Sequence, residues 1–253
     1  MRPKINHLNK IRVGAVSYLN TKPLLHGIKN HEVINQIILI EDYPARIADM
    51  LLNNEIDIGL VPVAIIPKLK EYSIITDYCI GSDGEVASVC IFSDVAMDKI
   101  ETIILDNQSR TSVALAKILL KEYWKKEVVF VEAPQEDFRK RIKGSTAGVV
   151  IGDRALQQRA ASAYIYDLGE AWKAHTGLPF IFAAWIANKQ LPAAFCNAFN
   201  EANANGLKHL DEIIIANPFT AFNLKKYYTE YISYDLTEEK RKGLNCFLEK
   251  VEK

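Results

Sequence analysis

Short unbroken apolar runs alternate along the chain with stretches in which apolar residues recur every third or fourth position. The first kind of segment reads as a buried strand and the second as a helix with one face on a core. Strands are predicted at 12–16, 37–40 and 56–61, and helices at 21–28, 45–52 and 62–69. Pro23 falls in the first turn of the first helix, where a missing N–H costs nothing, and the second helix is entered through Asp42 and Pro44. This βαβα rhythm argues for a mostly parallel sheet covered by helices.

The pattern then changes. Two strand-like runs, 73–80 and 86–92, are joined by Gly81-Ser82-Asp83-Gly84-Glu85, in which Asp83-Gly84 reads as an ordinary hairpin turn. A second βαβα series follows, with strands at 102–105, 128–131 and 147–151 and helices at 111–124, 137–142 and from about Asp153. A short β-like piece at 165–168 and a strand at 180–186 close it. From Leu191 onward the pattern is helical only, with Phe195, Phe199, Ala202, Leu210 and Ile213 near one stripe and further helices at 218–231 and 237–251. The last opens with an approximate capping box at Thr237. The pattern thus gives an α/β class, and two βαβα series with a helical tail suggest two lobes. The runs at 86–92 and 180–186 are the natural crossings. Lobe one is then 1–93 plus 185–253 and lobe two 94–184, with a ligand cleft between them.

Composition narrows the partners. The 253 residues hold 49% apolar and 25% charged side chains, an ordinary globular balance. Thirty-one Lys and Arg against 31 Asp and Glu leave no net charge, so neither a nucleic-acid footprint nor a polybasic membrane face is expected. The opening MRPKINHLNKIRVGAV has no apolar signal-peptide region, and no apolar run reaches the roughly 20 residues of a bilayer span. Cys79, Cys90, Cys196 and Cys246 form no CxxC and read as reduced thiols of a cytoplasmic protein. Asn107-Gln108-Ser109 fits a glycosylation pattern that has no meaning without secretion. His7, His26, His31, His175 and His209 show no metal-ligand spacing, and no phosphate-binding glycine loop or nucleophile elbow is present.

Four places can carry chemistry. Ser17-Tyr18-Leu19-Asn20 follows the first strand, where open α/β sheets present ligands, and it also suits a helix N-cap. Ser109-Arg110-Thr111-Ser112 precedes a helix whose first N–H groups and dipole favour a carboxylate. Arg110 can grip that carboxylate or turn outward to a surface acid. Ser88 is a hydroxyl in an apolar strand that needs a partner if buried, and a ligand is the expected one. Asp153 ends a strand at Gly152-Asp153, placed either to cap the next helix or to act on a ligand.

Six blocks together resemble one family. They are VSYLNTKPL (16–24), DIGLVPVA (57–64), SDGEVASV (82–89), LDNQSRTSVALAKILL (105–120), GDRAL (152–156) and YDLGEAWKAHTGLPFIFAAW (166–185). They span most of the chain in the order found in the chorismate dehydratases of the futalosine route to menaquinone. That resemblance implies a two-lobed, type II periplasmic-binding-protein-like fold and a hydro-lyase that needs no cofactor and no metal. It implies removal of water from chorismate to give 3-[(1-carboxyvinyl)oxy]benzoate. The sibling 1,4-dihydroxy-6-naphthoate synthases look to carry a histidine near the position of Gly152-Asp153, which this chain lacks. A non-catalytic binding protein of the same fold is the other alternative.

On this reading Ser17, Tyr18, Asn20, Ser88, Ser109, Arg110, Thr111, Ser112 and Asp153 contact the substrate, and Asn20, Ser88 and Asp153 carry the chemistry. Ser109, Thr111 and Ser112 bind one carboxylate, while Ser17, Asn20 and Ser88 hold the enolpyruvyl side or the departing hydroxyl. The base is either Asp153 or the substrate's own enolpyruvyl carboxylate held by Asn20. Oligomeric state is not legible in the sequence.

Overall fold

The computed structural model describes residues 10–106, 108–133 and 137–251; His7 and Asn107 lie outside the described residues. The first series forms as expected: β1 (Ile11–Val16), α1 (Lys22–Lys29), β2 (Ile37–Asp42), α2 (Pro44–Leu52) and β3 (Ile58–Pro62). β1 pairs in parallel with both β2 and β3, and β3 is buried at every position, as its continuous apolar run requires. β4 (Ser73–Ser82) follows a 3-10 segment at Val63–Lys68.

The chain then leaves for a second sheet. It contains β5 (Val89–Ser93), β6 (Thr102–Leu105), β7 (Val129–Glu132), β8 (Thr146–Ile151) and β9 (Tyr164–Asp167), with α3 (Arg110–Glu122), α4 (Gly152–Gln158) and α5 (Leu168–Thr176). It returns through β10 (Phe180–Ala187) to α6 (Ala193–Gly206), α7 (Leu210–Ala216), α8 (Leu224–Lys226), β11 (Ser233–Asp235) and α9 (Glu238–Val251). Sheet orders are β11-β4-β10-β3-β1-β2 and β7-β6-β8-β5-β9.

Several expectations need correction. Both sheets are mixed rather than mostly parallel, because the strands that enter and return run against their neighbours. β10 is antiparallel to β3 and β4, and β5 to β8 and β9. Asp83-Gly84 is not a hairpin, since β4 and β5 belong to different sheets. The connection is held by Asp167, whose carboxylate accepts the N–H of Val86 (3.1 Å) and Ala87 (2.7 Å), with Ala87 in the left-handed region at φ 62°. Val89–Ser93, placed in lobe one by the sequence, therefore pairs in the second sheet, and the whole of Phe180–Ala187 pairs in the first. The all-helical tail contains the strand β11, and 137–142 makes only the 3-10 turn Phe138–Arg141. The 218–231 segment is α8 followed by a π-helical turn at Tyr227–Tyr231.

One large core runs through both sheets, and a small second cluster of Cys90, Phe92, Phe138 and neighbours covers the far face of the second. On the first sheet α1 and α6 cross backbone to backbone. A Cβ at Gly27 would lie 1.9 Å from the Ala202 carbonyl oxygen, and one at Gly206 would lie 1.9 Å from that of Pro23. Among the described residues no helix is long and apolar enough to cross a membrane.

Candidate functional site

The cleft forms where the carboxyl ends of β1, β3 and β8 meet the N-terminus of α3. It encloses about 440 Å³ of non-atom space, a figure that includes open solvent at its mouth. Its floor is apolar, from Leu60, Ile80, Val89, Ile151 and Phe182, and its polar lining is Tyr18, Asn20, Thr21, Ser109 and Ser112. Among the described lining residues none is formally charged.

The Asn20 turn is a single 3-10 turn, Leu19–Thr21, that leads directly into α1. Thr21 donates to Asn20 Oδ1 (3.1 Å) and the Tyr234 hydroxyl donates to the Asn20 carbonyl (2.8 Å), so the turn is held from both sides. The Asn20 amide NH₂ lies against the Tyr227 hydroxyl, and its second N–H is a donor for a ligand. Across the cleft Ser109 caps α3. Its hydroxyl accepts from the Ser112 N–H (3.3 Å) and lies 3.0 Å from the Ser112 hydroxyl. Two buried hydroxyls thus sit beside the first N–H groups of a 13-residue helix, an arrangement that favours an anion.

Tyr18 spans the cleft. Its hydroxyl donates to Gln108 Oε1, which also accepts from Arg154 (2.8 Å), while Arg154 pairs with the buried Asp106 at 2.6 Å. Burial pushes the Tyr18 hydroxyl well above its ordinary pKa, with the Asp106 charge adding to the effect, so it stays protonated. The Tyr18 ring lies on Gly152, which has φ 61°; a Cβ there would approach the ring to 2.8 Å. This position needs glycine for its backbone and for its neighbour.

The other expected residues sit differently. Ser17 is exposed, its N–H bonded to the Asp42 carbonyl, and does not line the cleft. Ser88 is fully buried behind the cleft, and its hydroxyl takes its hydrogen bond from Tyr227 (2.7 Å) rather than facing the lining. Thr111 Oγ1 accepts the Ala64 N–H (3.0 Å), which fastens α3 to the segment after β3. Arg110 turns outward to Asp49. Asp153 does not cap its own helix; it accepts the Leu19 N–H (3.0 Å), so the carboxylate from one sheet caps the Asn20 turn from the other. Burial raises the Asp153 pKa, opposed by that N–H and by the Lys22 charge. Of the nine expected contacts, the structure therefore brings Tyr18, Asn20, Ser109 and Ser112 to the lining. Tyr227, Gln108 and Arg154 were not legible as parts of the site, because each acts through a partner far away in sequence.

A family model described as menaquinone biosynthesis matches residues 11–253. A chorismate dehydratase of Thermus thermophilus is 28% identical, covering 94% of this chain and 93% of its own. Among solved structures, an Archaeoglobus fulgidus protein superimposes with TM-score 0.79 at 15% identity, covering 98% of each chain. A Candida albicans gene product, described as exhibiting the generic periplasmic binding protein fold, gives 0.64 at 13% identity, covering 97% of this chain and 90% of that one. With the family match extending over nearly every residue, the chain belongs to the menaquinone-biosynthesis family, built on a periplasmic-binding-protein-like fold.

Proposed function

We propose that this protein is a cytoplasmic chorismate dehydratase that forms 3-[(1-carboxyvinyl)oxy]benzoate for the futalosine route. The observation that carries the reading is the cleft itself: neutral donors from both sheets converge on an apolar floor, with Asn20 on one side and Ser109, Ser112 and the α3 N-terminus on the other. Chorismate carries one carboxylate on its ring and a second on its enolpyruvyl arm, two anionic groups that match two separate sets of donors. The two sheets and the cleft between them act as two lobes, divided near 83–88 and 168–179, where the chain passes from one sheet to the other.

In the reaction, the ring carbon bearing the enolpyruvyl ether loses its proton, and the neighbouring C–O bond breaks. The C–H electron pair becomes the new ring double bond and the ring becomes aromatic. The hydroxyl leaves with a proton as water. The proton lost is vinylogous to the ring carboxylate, so negative charge grows on that group. Hydrogen bonds from Ser109, Ser112 and the helix N–H groups would stabilise it in a site shielded from water. Asn20 would hold the enolpyruvyl carboxylate over the proton it removes. Asp153 already accepts the Leu19 N–H and lies off the lining, which favours the substrate carboxylate as base. Tyr18, kept protonated, would close the wall beside Gly152.

The test is incubation of the purified protein with chorismate, without added metal or nucleotide, followed by mass and absorbance detection. The expected product is lighter by one water and benzenoid. Binding without turnover would replace this reading by a receptor of the same fold, and no binding would remove it.

A further inference from the structure

We propose that His26, His209 and Glu212 form a binding site for a divalent transition-metal ion on the outer side of the first sheet, away from the cleft. No spacing in the sequence announces it, because the fold brings the ligands together from separate elements. His26 lies in the last turn of α1, His209 in the 3-10 turn Leu207–His209 between α6 and α7, and Glu212 in the first turn of α7. One ligand atom from each lies within 4.8 Å of the other two. The imidazole centroids are 5.5 Å apart, and His209 Nδ1 stands 3.0 Å from Glu212 Oε1. Bonds of about 2.0–2.2 Å to a tetrahedral zinc ion set donor atoms about 3.3–3.6 Å apart, so side-chain rotations must open the 3.0 Å His209–Glu212 pair slightly and draw in any donor near the 4.8 Å limit.

The scaffold beneath these ligands is rigid. Gly27 and Gly206 let α1 and α6 touch at the backbone directly beside His26 and the 207–209 turn. The His26 carbonyl is fixed by the Asn30 N–H (3.1 Å) and side-chain amide (2.8 Å). Asp211 is drawn to Lys225 at 3.1 Å, which leaves Glu212 as the carboxylate of the set. Two imidazoles and one carboxylate suit zinc, cobalt, nickel or copper rather than magnesium or calcium. Glu212 is exposed, so solvent can supply the fourth position.

The ion would clip α7 and its preceding turn to α1. That helix starts just after the Asn20 turn, and the 3-10 and α-helical residues between them separate Asn20 from His26 by about 10 Å along the axis. The site would therefore brace the element that carries Asn20 without touching the substrate.

The experiment uses the untagged full chain, stripped with chelator and titrated with Co²⁺ alone, followed by visible absorption and calorimetry. One saturable equivalent with the intense bands of a four-coordinate ion is expected. His26→Gln, His209→Gln and Glu212→Gln should each weaken it at least about tenfold, since even an outer-shell partner of a metal site is worth that much. Zn²⁺ should raise the unfolding midpoint of the wild type and not of the variants, while chorismate turnover is unchanged in all of them. Glu212→Gln, at an exposed position, keeps the test open if a histidine variant misfolds. Absence of saturable binding, or equal affinity in the wild type and the three variants, would overturn the proposal.

Discussion

Asp153 accepts the N–H of Leu19, the residue next to Asn20, and the two side chains separate the two routes for proton removal. If the substrate carboxylate is the base, Asp153→Asn keeps an acceptor for the Leu19 N–H and should retain turnover within about tenfold. Asn20→Ala, which frees that carboxylate, should cost about 100-fold or more. Steady-state rates on chorismate decide between them, and the reverse order would make Asp153 the base. Gly152 gives a second residue-scale expectation. Gly152→Ala meets a left-handed backbone penalty of about 1–2 kcal/mol and drives a Cβ into the Tyr18 ring. Urea unfolding should show at least that loss, together with a raised KM; a loss below about 0.5 kcal/mol would mean that the ring yields freely. At this scale the sequence was legible where backbone position alone fixes a role. Asn20, Ser109 and Ser112 sit at a turn and a helix start that follow strand ends, so the pattern reached them. Ser88 and Thr111 were misplaced because their direction depends on Tyr227 and Ala64, which no local spacing reveals, whereas Arg110 takes the outward course the sequence offered as an alternative, with Asp49 as the acid.

At the scale of elements, the edge where β1, β3 and β10 meet is tied by Asp57. Its carboxylate accepts from the Arg12 N–H (2.8 Å) and guanidinium (2.7 Å) and from Lys189 (2.9 Å), and its carbonyl accepts the Asn188 N–H (3.2 Å). Burial alone would raise the Asp57 pKa, but the donors from Arg12 and Lys189 outweigh it and hold the group well below the usual carboxylate range. A depressed folded-state value means that the native state resists protonation longer than the unfolded chain. The stability this supplies is complete above the unfolded pKa of about 4 and is lost as pH falls below it. The wild-type urea midpoint should therefore drop steeply below about pH 4, whereas Asp57→Asn should start lower at neutral pH and fall less over the same window. Parallel slopes would show that other carboxylates govern acid unfolding. The strands themselves were readable here, because 12–16 and 56–61 are largely apolar runs that end up almost wholly buried, and 37–40 has the same apolar character although it forms an edge strand with Ile38 exposed. Their partners were not. Val89–Ser93 and Phe180–Ala187 have the same apolar character, and sheet membership was decided by Asp167 pulling Val86 and Ala87 toward the second sheet.

Over the whole molecule, the two sheets are joined directly across the cleft. The bonds from Tyr18 to Gln108, Leu19 to Asp153, Ala64 to Thr111 and Tyr227 to Ser88, with the Arg110–Asp49 ion pair, all connect elements of the first sheet or the tail to elements of the second. A ligand the size of chorismate enters only if some of these contacts part, so the protein must sample a more open form. Four of the five contacts touch the cleft lining or its immediate support. Arg110–Asp49 lies at the rim, with side chains 33% and 46% exposed, and can be cut without altering the lining. A half-exposed ion pair contributes about 0–1 kcal/mol, which shifts the ratio of closed to open forms by at most about fivefold. Asp49→Asn should therefore raise KM by no more than that factor and leave kcat nearly unchanged, since the lining groups are intact once the cleft closes. Salt separates this tether from a purely local role. At low ionic strength the wild type and the variant should differ, and as added salt screens the wild-type pair their KM values should converge. A gap that persists at high salt, or a collapse of kcat, would mean that Arg110 instead orders the Ser109–Ser112 turn, so that the pair belongs to the construction of the carboxylate site and not to the closure of the molecule.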